Sequence, residues 1–89
     1  MALLTTPHSE EEISPKDGKR FTLEELRDVI GWNFNMAVSD TTGLVIIYDS
    51  ERNEHVDEHN QRIDIRMGEK WGIYGKALAC RREEIFFLG

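Results

Sequence analysis

The chain has 89 residues with 11 Lys and Arg against 17 Asp and Glu, a formal charge of -6; 39% of residues are apolar and 31% charged. That length holds one hydrophobic core, and the eight aromatics (two Trp, two Tyr, four Phe) are too many for a disordered chain. The acidity argues against a protein that coats nucleic acid or anionic lipid, and no apolar run reaches the roughly 18 residues of a membrane span.

Residues 1–14 are expected to form a flexible tail, with residues 15–89 as a single domain. Thr5, Thr6, Pro7, His8, Ser9 and Glu10–Glu12 are polar and turn-rich. Leu3, Leu4 and Ile13 are the exceptions, suited to a short edge strand or to pinning the tail. The opening residues lack the basic region and long apolar core of a signal peptide. With a lone cysteine, Cys80, an internal disulfide is excluded and a cytoplasmic setting is expected.

Ser14–Lys19 reads as a turn built on Pro15 and Asp17-Gly18. Thr22 and Glu25 have the spacing of a capping box, and Phe21 and Leu26 that of a hydrophobic staple. Leu23, Leu26, Val29 and Ile30 recur on one face, predicting a helix over 23–30 that ends at Gly31 as its C′ residue. Phe34, Met36 and Val38 alternate with polar or small residues, the pattern of a half-buried strand. A turn at 39–43 leads into the β-branched run 44–48, predicting a hairpin whose second strand is covered on both faces.

Residues 49–62 contain one apolar residue, Val56, and read as an exposed loop or a solvated helical turn. Ile63, Ile65 and Met67 alternate, which predicts a strand, although Ile63 and Met67 also fit a helix. Gly68, Gly72 and Gly75 surround Trp71, Ile73 and Tyr74 as turn and bulge positions and do not form a phosphate loop. Ala77–Cys80 predicts a last strand. Ile85–Leu88 places four large apolar side chains where they must dock on the domain or on a second copy. The fold class is α+β, with one main helix on an antiparallel sheet of three to four strands.

The segment Pro15–Gly31, containing Phe21-Thr22-Leu23-Glu24-Glu25-Leu26, followed by a closing Gly75-Lys76-Ala77-Leu78-Ala79-Cys80, resembles a small family of phage- and plasmid-borne domains without an assigned biochemical function. Trp32 stands where that family has a second glycine, and no Ala-Thr pair follows Asn60. The resemblance implies a small α+β fold of mobile-element origin and carries no catalytic residues.

Chemistry-bearing residues are few. His55 and His59, with Asp57, Glu58 or Glu51, have N and O ligands for a divalent metal, but the expectation is a solvated loop with no metal or cofactor. Cys80 lies in an apolar run and is expected in the core. The expected function is therefore non-enzymatic: a protein-binding module of a phage or mobile element that occludes a site on a host protein, such as a defence or regulatory complex. Asp49, Glu51, Glu54, Asp57 and Glu58 would meet a basic, nucleic-acid-binding surface of that protein, with Trp32, Trp71 and Tyr74 as aromatic anchors. Direct contact with nucleic acid or membrane is not expected, and a homodimer is one of the two ways in which Ile85–Leu88 can be covered. The alternative is a small metal- or ligand-binding, enzyme-like domain using His55 and His59 or Cys80.

Overall fold

Why the chain is so evenly covered follows from its two central apolar strands, which put large side chains on both faces of one sheet. The structure is a computed structural model and describes residues 2–40, 42–51, 58–68 and 70–85. Strands β1 (Ala2–Thr5), β2 (Glu10–Ile13), β3 (Phe34–Val38), β4 (Val45–Asp49) and β5 (Ala77–Cys80) form one open antiparallel sheet in the order β2-β1-β5-β4-β3. Helices α1 (Leu23–Val29) and α2 (Gln61–Met67) lie on opposite faces, and a 3-10 turn spans Arg82–Glu84.

Period-two alternation sorts the core. Val45, Ile47, Leu78 and Cys80 pack with Phe21, Leu26 and Ile30 on the α1 side. Ile46, Ala77 and Ala79, on the intervening positions, pack with Ile63, Met67 and Ile73 on the α2 side. All of these residues are buried, and each large apolar side chain so placed contributes about 1.5–3 kcal/mol.

The fold is α+β, but it has two helices and five strands among the described residues rather than one helix and three to four strands. Two differences account for this. The expected tail contains β1 and β2, and β1 is an interior strand, paired with β2 through Ala2↔Ile13 and with β5 through Leu4↔Leu78. Residues 63–67 are helical rather than extended. Ile63 and Met67, four apart, are buried, while Ile65 between them is 78% exposed. Asn60 caps that helix through Ile63 N–H, and Gly68 closes it in the left-handed conformation at φ 71°.

Helix α1 forms as the capping box predicts. Thr22 Oγ1 accepts from Glu25 N–H at 3.3 Å, and Glu25 Oε1 accepts from Thr22 N–H at 3.2 Å. The other Glu25 oxygen accepts from Lys16 N–H at 2.9 Å and so ties the preceding turn to the helix. Ile30 is the C-cap, still in the right-handed region. Gly31 has φ 146°, and a Cβ there would meet the Asp49 carboxylate at 2.9 Å. Gly31 therefore follows the C-cap as the expected C′ residue, and both its positive φ and its close approach to β4 favour glycine there.

A buried polar knot joins distant parts of the chain. Asn60 Nδ2 lies 3.2 Å from Thr5 O, 3.0 Å from Thr5 Oγ1 and 2.8 Å from Gly75 O. Its Oδ1 accepts from Ile63 N–H, and Thr5 Oγ1 donates to Ala77 O at 3.2 Å. Both Asn60 and Thr5 are fully buried, so these bonds satisfy groups that water cannot reach.

Candidate functional site

The register of β3, β4 and β5 determines which candidate residues meet. Phe34 pairs with Asp49 and Tyr48 with Ala77. The segment entering β3, the segment leaving β4 and the segment entering β5 therefore share one end of the sheet. Trp32 belongs to the first, Asp49 and Glu51 to the second, and Trp71 and Tyr74 to the third. Glu58 joins them because Gly75 N–H donates to Glu58 O at 3.1 Å. All six described candidates come to this rim; Glu54 and Asp57 lie outside the described residues.

Trp32 is held out from the fold. It is 76% exposed, and the Arg27 guanidinium sits 4.7 Å from its ring centroid, within cation–π range. Its neighbours are anchored: Asn33 O accepts from Ser50 N–H and Ser50 Oγ, and Asn33 Nδ2 donates to Glu51 Oε1 at 2.8 Å. Asp49 Oδ1 accepts from Glu51 N–H at 2.9 Å, fixing the turn after β4. Lys76 Nζ donates to Val29 O at the C-terminal end of α1, where a cation is favoured.

At the same end of the sheet, on the α2 side, Tyr48, Trp71 and Tyr74 line a cavity of about 210 Å³ with Asp49 and Ser50. One carboxylate braces the backbone of Trp71 and, through His59, the ring of Tyr74. Asp64 Oδ1 accepts from Trp71 N–H at 2.8 Å, and Asp64 Oδ2 lies 2.8 Å from His59 Nε2. The His59 ring in turn packs on Tyr74, 5.7 Å between centroids. Glu58, also at the rim, pairs with His8 at 2.7 Å.

His55 lies outside the described residues, and His59 is engaged by Asp64. Among the described residues no group of three or more His, Cys, Asp or Glu is placed to hold a metal ion. Cys80 is 1% exposed. Burial, and secondarily the Glu84 charge, push its thiol up to about 12, which keeps it protonated and a poor nucleophile at neutral pH. Ile85 is buried as expected, bridging to Phe21, while the rest of the expected docking segment, 86–88, lies outside the described residues. Among the described residues no helix is long and apolar enough to cross a membrane.

Sequence reasoning missed Arg27, Tyr48 and Asp64. Tyr48 carried a signal: it shares the alternate face of β4 with Ile46. Arg27 and Asp64 carried none, because their roles depend on tertiary placement. Comparisons with protein-family models, with characterised proteins and with solved structures give no match.

Proposed function

We propose that this protein is a non-enzymatic protein-binding module of a phage or other mobile element, and that it occludes a basic surface on a host protein through the Trp32 end of its sheet. The observation that carries the reading is Trp32, a large aromatic 76% exposed on an anchored segment. An exposed Trp forfeits hydrophobic stabilisation that burial in an interface recovers, and Trp and Arg dominate interface energetics. Here the two already stack on each other, and Asp49, Glu51 and Glu58 stand at the same rim. Acids so placed draw a basic surface by raising its association rate.

The test is affinity capture from a bacterial lysate on immobilised wild type, Trp32→Ala and Glu51→Lys, read by mass spectrometry. A host protein retained by wild type and lost from both variants is the expected result. If that protein binds nucleic acid, the complex should no longer do so. Capture that is indifferent to both substitutions would overturn the reading.

A further inference from the structure

The two edges of the sheet differ in kind. β2, at one edge, carries three consecutive glutamates, Glu10–Glu12, the charged guard that keeps an edge from pairing with another chain. β3, at the other edge, reads Phe-Asn-Met-Ala-Val. It has no charge, no proline and an unbroken five-residue register with β4. Among the described residues no strand lies beyond it.

The ladder shows which backbone groups this edge presents. Asn33 O accepts from Ser50 N–H, and Ser39 N–H donates to Leu44 O. Between these pairs lie Asn35↔Tyr48 and Ala37↔Ile46. Hydrogen-bonded pairs alternate with non-hydrogen-bonded ones in an antiparallel ladder, so the N–H and C=O groups of Met36 and Val38 point away from β4. They form a template for one more antiparallel strand.

We propose that the strand which fills it is β3 of a second copy of this chain, antiparallel about a two-fold axis at Ala37. Met36 of one copy then exchanges both backbone hydrogen bonds with Val38 of the other, and the axis repeats the exchange. Ala37 faces its own copy across the narrow, non-hydrogen-bonded position, where Cα atoms come within about 4.5 Å and a small side chain fits. Met36 and Val38 lie side by side on the α1 face, which covers Val38, now 44% exposed. Charge favours the match as well. A chain of net charge -6 can lie beside itself most easily where its own strand is uncharged, and β2 lacks that property. Within β3 this seam spans only Met36–Val38, which falls short of the ~1,200 Å² of a stable standard interface, so the dimer forms reversibly with concentration.

The experiment is sedimentation equilibrium on the full chain from micromolar to millimolar concentration, with backbone hydrogen exchange followed at both extremes. Wild type should rise from its 10.3 kDa monomer mass towards twice that value. Met36 and Val38 amides should exchange at least about tenfold more slowly at high concentration, as paired ladder groups do. Val38→Lys guards the edge and should weaken association at least about tenfold. Ala37→Lys places like charges on the axis and should do the same, so either variant serves if the other fails to fold in urea melts. A monomeric wild type at the highest concentration would overturn the proposal and leave the edge for a strand of another protein. A dimer that forms without slowing Met36 and Val38, or that survives a folded variant, would overturn it in favour of another surface.

Discussion

Asn60 offers the sharpest test of how the two layers are joined. In Asn60→Ala, Ile63 N–H loses its cap at a cost of about 1 kcal/mol. Thr5 O and Gly75 O lose their donor at depth, at about 1–3 kcal/mol each. Together these come to about 3–7 kcal/mol, a large share of the 5–15 kcal/mol that holds a typical domain. Asn60→Asp separates the two parts. Its carboxylate still accepts from Ile63 N–H but turns an oxygen, not an amide N–H, towards two carbonyls. That environment favours the protonated acid, so its pKa in the fold is raised above the unfolded value of about 3.9. The folded state then holds more protons than the unfolded one just above that value. Stability of this variant relative to wild type is therefore greatest below pH about 4 and falls as pH rises towards the folded pKa. Urea melts of wild type and both variants across the acidic-to-neutral range provide the measurement. An Asn60→Ala loss below about 1 kcal/mol, or an Asn60→Asp deficit that does not change with pH, would refute the role given to the knot.

Three further outcomes are expected. Thr22→Ala should cost about 1 kcal/mol and Leu26→Ala about 2–5 kcal/mol in urea melts, as a lost cap and a core cavity respectively. Ile63→Ala should cost about 2–5 kcal/mol while Ile65→Ala stays within about 0.5 kcal/mol; similar losses at both would mean that α2 is extended after all. Cys80 should react with a thiol reagent only as the protein unfolds. Because its folded pKa is raised, its contribution to stability is complete below the ordinary thiol value of 9.0 and declines as pH climbs towards about 12.

Which parts of this fold were legible in the sequence depends on whether one period was satisfied alone. Thr22 and Glu25 with the Leu26 stripe admit only a helix, and the run 44–48 only a strand between covered faces; the helix expected at 23–30 is Leu23–Val29 and the strand is Val45–Asp49, each within one residue of expectation. Ile63, Ile65 and Met67 sit at i, i+2 and i+4, which satisfies both periods. The deciding signals were the ends, Asn60 as an N-cap and Gly68 as a left-handed stop. The hairpin of β1 and β2 was hidden for another reason. Glu10–Glu12 are all exposed, as suits an edge strand guarded by charge, and such a strand has no apolar alternation to detect. Residue type alone nominated Trp32, Trp71, Tyr74 and the acids. Their meeting at one end of the sheet follows from the β3–β4–β5 register, which composition does not encode. The Arg27 stack and the Asp64 brace likewise depend on helices arriving at that end from opposite faces.

If partners are engaged at the Trp32 end, the molecule contains its own control. Trp32 and Ile65 are exposed to nearly the same degree, 76% and 78%, one at the rim and the other on the outer side of α2. Titration of a captured host protein against Trp32→Ala and Ile65→Ala separates the two surfaces. Trp32→Ala should weaken binding by at least about 2 kcal/mol, roughly 30-fold, as loss of an interface anchor does, and Ile65→Ala should leave the affinity unchanged. Loss at Ile65 with full affinity retained by Trp32→Ala would contradict engagement at the Trp32 end and move the binding surface to α2.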